Sequence, residues 1–155
     1  MLRLLAMFGV PNADTLFSHI HSNSFSGFTW NSQALFHHDP HRQRSKVGFL
    51  TKHLRQADFA MVQEVHRDAG YACPNLPTVE MGHQHVGSWG TDPDTGGLLT
   101  FWSSSLSPIS VDNTHLVRGR ILRTQLNFSG GCALILYNIH NLSLIHISEP
   151  TRLAE

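Results

Sequence analysis

Glu64 follows a short apolar run, Phe59-Ala60-Met61-Val62, that is closed by Gln63. Such a run reads as a fully buried strand. A carboxylate at its end is poorly suited to a dry core, because burying an unpaired charge is costly. Layered α/β structures display reactive groups at strand ends; a plain surface cap of the strand is the alternative. Upstream, Phe25-Ser26-Gly27-Phe28-Thr29-Trp30 alternates roughly apolar and polar with aromatic weight and ends in Asn31, as a half-buried strand should. A carboxylate and an amide oxygen at one edge suit a hard divalent cation, which takes oxygen ligands and leaves room for phosphate and water.

A helix signal lies between these two strands. Asp39 is a suitable N-cap and Pro40 sits at the first helical position, where a missing N–H does no harm. Val47, Leu50 and Leu54 recur at helical spacing, with Arg42, Arg44, Lys46 and Lys52 mostly elsewhere. Gly48 weakens the stretch slightly. Strand, helix, strand is a crossover unit that places its strands parallel, so Asn31 and Glu64 are expected at the same edge.

Five motifs occur in order: Thr29-Trp30-Asn31-Ser32-Gln33-Ala34-Leu35, Val62-Gln63-Glu64-Val65-His66, Gly96-Gly97-Leu98-Leu99, Gly119-Arg120-Ile121-Leu122 and Tyr137-Asn138-Ile139-His140-Asn141. Together they resemble the endonuclease/exonuclease/phosphatase superfamily, whose fold is that of pancreatic-type deoxyribonuclease. The superfamily also includes abasic-site and retrotransposon endonucleases, sphingomyelinases and inositol-polyphosphate phosphatases. The match runs from about Phe25 to Asn141. The Trp-Asn and Gln-Glu pairs are its specific part.

Residue by residue, the resemblance implies Glu64 as principal magnesium (or manganese) ligand and Asn31 as support for the metal and nucleophile. It implies His140 as a contact to the scissile phosphate and Arg120 as a residue near the phosphate track, with a strand-edge surface arginine as the alternative reading of Arg120. Gln33 departs from the pattern, since relatives often carry an acidic or basic residue there. The family's later motifs, Gly-Asp-Phe-Asn and a terminal Ser-Asp-His, do not occur in this sequence. The resemblance therefore covers the first half or so of a deoxyribonuclease-like domain.

The end of the chain, residues 142–152, resembles one reading frame of a sequencing-library adapter, with Leu153-Ala154-Glu155 as the start of an index. Such scars are set aside in fold reasoning. The alternative is a natural tail with Asn141-Leu142-Ser143 as a glycosylation sequon. The expected organisation is an extension over 1–24, a truncated domain over 25–141 and a non-native tail over 142–155. Leu144, Ile145 and Ile147 of that tail are expected to have no pocket in the domain.

The chain has 155 residues, whereas β sandwiches often need about 200–250 to complete one domain. Lys plus Arg equals Asp plus Glu at 11 each, so no charge bias advertises a nucleic-acid partner. The cluster His41-Arg42-Gln43-Arg44-Ser45-Lys46 reads as the solvated face of the helix. Twelve histidines invite a zinc reading, but ligand spacing of the Cys-x-x-Cys or His-Glu-x-x-His kind is absent. Most, including His37, His38, His83 and His85, are expected on the surface or in loops. His66 is near enough to Glu64 to tune it. Cys73 and Cys132 form no motif; they are read as buried free thiols of an intracellular protein, with a bridge as the alternative if the fold brings them close. Met1 to Val10 lacks a convincing cleavage site, and no run is long enough to span a membrane. The expected location is the nucleus or cytoplasm.

Beyond Glu64, Pro74, Pro77 and the stretch 87–97 punctuate a loop. Gly97 to Trp102 reads as a buried strand. Residues 119–128 alternate without a clean apolar side. Ser129-Gly130-Gly131 signals a hairpin turn, and Cys132 to Tyr137 returns as a buried strand. The expected fold is α/β (α+β), a partial two-sheet β-sandwich flanked by helices.

The resulting expectation is a fragment of a magnesium-dependent phosphoesterase, an endonuclease acting on nucleic acid, inactive as it stands. Phosphoinositide or phospholipid headgroups are the alternative substrates. A catalytically dead binding module on the same scaffold is the second reading. A histidine-rich zinc protein is the third.

Overall fold

The computed structural model describes residues 25–67, 76, 81–92 and 94–140. The extension over 1–24, Cys73 and the tail over 142–155 lie outside the described residues.

Strand β1 (Gly27–Asn31) and strand β2 (Phe59–Gln63) pair in parallel, with Asn31 opposite Gln63. Helix α1 (Pro40–Leu54) makes the crossover, and Asp39 caps it by accepting from the His41 N–H at 2.8 Å. Leu50 and Leu54 are buried against Ala60, Val62, Leu99 and Phe101, with Val47 packed beside them. One face of β2 is therefore sealed by the helix.

Strand β4 (Leu98–Ser103) runs antiparallel to β2, and β3 (His83–Ser88) antiparallel to β4, giving the order β1-β2-β4-β3. A second sheet is the antiparallel meander β5 (Ser110–Val117), β6 (Ile121–Asn127) and β7 (Ala133–Ile139). Phe59 and Trp102 from the first sheet meet Leu126, Leu134 and Leu136 from the second. The layers are thus helix, four-stranded sheet and three-stranded sheet, the α/β two-sheet architecture expected from sequence.

Several local expectations need correcting. β3 and β5 are strands where the sequence pattern shows only loop punctuation or nothing distinct. His83 is buried on β3, its ring nitrogens facing the carbonyls of Met81 (3.1 Å) and Ala57 (3.0 Å). His85 is half-buried beside the Phe101 ring, and burial lowers its pKa. Neither is a surface or loop residue, because β3 packs on β4 rather than looping free. β6 does have an apolar side: Leu122, Thr124 and Leu126 point inward, and the threonine among the leucines masks it in sequence. β7 is half-buried rather than buried. Leu134, Leu136 and Asn138 point in, while Ile135, Tyr137 and Ile139 are exposed, since no described residue covers the outer face of that sheet. The hairpin turn over Ser129–Gly131 is present, with Gly130 and Gly131 at φ 80° and 78°.

Candidate active site

β1 and β2 end side by side, and both chains then turn sharply while staying zipped together. The Ser32 N–H donates to the Gln63 carbonyl (2.8 Å), and the Ser32 hydroxyl lies 2.9 Å from the carbonyls of both Gln63 and Glu64. The Ala34 N–H donates to the Glu64 carbonyl (2.8 Å), and Phe36 N–H to that of Val65 (3.2 Å). Gln33, Ala34, Glu64 and His66 all adopt left-handed backbone, at φ 46°, 70°, 52° and 53°. Residues in such regions cost roughly 1–3 kcal/mol each and concentrate at functional sites.

The double glycine forms the floor. Val65 and His66 N–H groups donate to Gly97 and Gly96 carbonyls (3.2 and 3.0 Å), and Gly97 N–H donates to that of Gly119 (3.1 Å). A Cβ on Gly97 would stand 2.7 Å from Val65 Cγ2, and its φ is +82°. Only glycine lets the β2 end and the Gly119-Arg120 turn approach so closely. Arg120 leans over Gly96, its Cζ 3.3 Å from where a Cβ would be.

His140 follows β7 and is anchored by its N–H to the Arg120 carbonyl (2.8 Å). Its side chain is 9 % exposed, and Nε2 stands 3.3 Å from Oε1 of Glu64, itself 26 % exposed. That contact lacks hydrogen-bond geometry, so among the described residues Nε2 has no hydrogen-bond partner; nor does the buried Nη1 of Arg120. Burial lowers the pKa of His140 below 6.5; the Glu64 carboxylate opposes this, while Arg120 and His66 add to it. At neutral pH the imidazole is therefore uncharged beside a carboxylate.

Asn31 is exposed at the end of β1, and its Oδ1 accepts from Gln33 N–H (3.1 Å). Gln33 is exposed as well. The structure thus brings Glu64, His140 and Arg120 together, with Asn31 on the adjoining strand end. The donor set fits magnesium in kind: one partly exposed carboxylate and one amide oxygen, which accepts from Gln33 N–H and from no other group among the described residues. Magnesium is commonly held by one or two carboxylates plus waters and phosphate oxygens. Among the described residues, no group of three or more His, Cys, Asp or Glu is placed to hold a metal ion, which is no support for a zinc centre.

Sequence reasoning misses two supporting side chains. Lys46 belongs to the cluster expected on the solvated face, yet it lies one turn before Leu50 on the same stripe. Its Nζ donates to the carbonyls of Ser32 (2.7 Å) and Gln33, and desolvation, then Arg42, lowers its pKa. Arg42 is exposed as expected. Asn138, fully buried beneath the site, is signalled by its inward register with Leu134 and Leu136.

The fold has known counterparts. The chain is similar to an AP endonuclease of Leishmania major, at 18% identity and TM-score 0.59, over 90% of this chain and 47% of that one. It is similar to the 3' phosphatase NExo of Neisseria, whose structure holds a product DNA hairpin, at 19% identity and TM-score 0.51, over 76% and 41%. It also matches an AP endonuclease of Archaeoglobus fulgidus at 15% identity and TM-score 0.53, over 76% and 41%. The chain therefore spans less than half the length of each. No family's sequence profile matches it, and no curated protein does. The likeness shows the fold alone: a deoxyribonuclease-like two-sheet fold shared with these structures. Among the described residues, no helix is long and apolar enough to cross a membrane.

Proposed function

We propose that this chain carries the first half-site of a magnesium-dependent phosphoesterase, an endonuclease acting on nucleic acid. The observation that carries the reading is the Glu64–His140 pair, 3.3 Å apart, with Glu64 on left-handed backbone at the strand end where Asn31 emerges. Glu64 and Asn31 would hold the metal, which supplies charge stabilisation on a bound phosphate. His140 would donate through Nε2 to a phosphate oxygen, and Nη1 of Arg120, which has no partner among the described residues, would add a fixed positive group. Two relatives in fold are AP endonucleases and one was solved with DNA, which favours nucleic acid over lipid or inositol headgroups.

The residues that the resemblance expects to orient water and protonate the leaving group lie in motifs absent from this sequence. General acid–base assistance contributes roughly 10²–10⁴-fold, and one imidazole cannot both clamp the phosphate and manage every proton. The chain as it stands is therefore expected to be inactive. Manganese binding, followed by water-proton relaxation, should be weak, lost in Glu64→Ala and reduced in Asn31→Ala. Binding unchanged by Glu64→Ala would overturn the half-site. Turnover of abasic DNA, plain DNA, RNA or inositol phosphates that Glu64→Ala abolishes would overturn the claim of inactivity. Nucleic-acid binding with no metal uptake would turn the reading towards an interaction module.

A further inference from the structure

Asn138 lies fully buried on β7, two residues before His140. Its Nδ2 lies 2.9 Å from the Leu99 carbonyl, 3.3 Å from that of Val62 and 3.3 Å from the Thr100 hydroxyl. Its Oδ1 accepts from Gln63 Nε2 at 2.7 Å. Gln63 in turn lies against the Thr29 hydroxyl (3.0 Å) and the Met61 carbonyl (3.2 Å). One amide thus reaches β2 and β4 directly and β1 through Gln63, from the opposite sheet.

Each strand it ties carries or flanks a member of the site. Gln63 precedes Glu64, Thr29 stands two residues before Asn31, and Leu99 follows the Gly96-Gly97 floor. Apart from the Ser88 hydroxyl on β3, which lies 2.9 Å from His115 Nδ1 on β5 and accepts from the Gly119 N–H, the sheets meet elsewhere largely through apolar contacts such as Leu134 and Leu136 against Phe59 and Trp102. Such contacts resist separation but tolerate sliding, because the hydrophobic effect has no direction. A hydrogen-bonded amide has direction, and leaving its buried partners unpaired is costly.

We propose that Asn138 is a positioning residue: through Gln63, Val62 and Leu99 it fixes the second sheet against the first, and so sets His140 against Glu64. This rests on reading that pair as functional, but its test needs neither metal nor turnover. The His140 ring nitrogens are observed by long-range proton–nitrogen NMR at one mildly alkaline pH. Glu64→Gln should move the His140 signals in the otherwise unchanged chain, which reports the contact. In an Asn138→Ala background, that Glu64-dependent shift should be largely lost. In a Leu136→Ala background, which weakens the same strand without touching the network, it should persist.

A folded Asn138→Ala chain with an undiminished Glu64-dependent shift would overturn the proposal, as would equal loss in Leu136→Ala. If Asn138→Ala does not fold, Gln63→Met cuts the network at β2 and should show partial loss; an unchanged shift there would overturn it too. If that variant also fails to fold, Thr29→Val, at an exposed strand position, is read in the same way. Failure of the phosphoesterase reading appears separately, as absent manganese binding with this shift intact.

Discussion

Lys46 and Ser32 are joined across the first crossover: the ammonium group on α1 donates to the carbonyl at the start of the turn after β1, at 2.7 Å. The same nitrogen also serves the Gln33 carbonyl. The two carbonyls belong to a turn in which Gln33 and Ala34 are left-handed. One helix side chain therefore holds the turn that presents Asn31.

Lys46→Met should keep the stem's packing and release that turn. Charge-assisted bonds contribute about 1.5–3 kcal/mol, and for a partly exposed ammonium the lower end applies. Screening by solvent reduces that further, and urea unfolding should show a loss of roughly 1 kcal/mol. Amide exchange should quicken selectively at Ser32 to Leu35, and uniform quickening across β2 would count against this role.

Stability should fall on acidification through His140. Its folded pKa lies below 6.5 because burial disfavours the charged ring. The unfolded chain then binds more protons in the interval between the two pKa values, so stability rises with pH there. The contribution is present above about pH 6.5, the unfolded value, and is lost as pH falls through the folded pKa. Glu64→Gln removes the one interaction among the described residues that raises the His140 pKa, so its NMR titration midpoint should drop further; a rise would contradict the geometry.

Two glycine substitutions should act in opposite directions. A Cβ at Gly119 would stand 2.5 Å from the backbone nitrogen of Gly90, at φ +68°, so Gly119→Ala should cost roughly 1–3 kcal/mol. Gly48 lies in α1, where an added Cβ would meet nothing within 4 Å, and Gly48→Ala should add about 0.5–1 kcal/mol. Thermal unfolding of the two variants checks both signs.

The outer face of β7 should govern self-association. Ile135, Tyr137 and Ile139 are 41%, 50% and 53% exposed on an edge strand without charge or proline, the kind of edge that invites pairing. Ile135→Lys with Tyr137→Lys should reduce light scattering while leaving the unfolding midpoint nearly unchanged. A large loss of stability would mean that the face is covered in solution.

The parts of the fold legible in sequence are those with a strong period or a strong stop. Asp39-Pro40 and the Leu50–Leu54 spacing locate α1, and the apolar run before Gln63 locates β2. β3 is illegible because His83, Gln84, His85 and Gly87 carry no strand-like pattern; their places are set by pairing with β4. At the site, Glu64, Asn31 and His140 each stand out as polar closures of strand candidates. Asn138 and Lys46 do not, since their meaning depends on which sheet or turn lies opposite.

Glu64 is a poor choice for folding alone. At φ 52° a glycine or asparagine would sit more comfortably, and a lone carboxylate against a neutral, nearly buried imidazole adds nothing to packing. Glu64→Gly should therefore make the protein more stable while removing the carboxylate from the site. On the proposed function, selection for robustness and selection for chemistry pull in opposite directions at this one residue. A library screened only for thermal tolerance would be expected to discard the glutamate early.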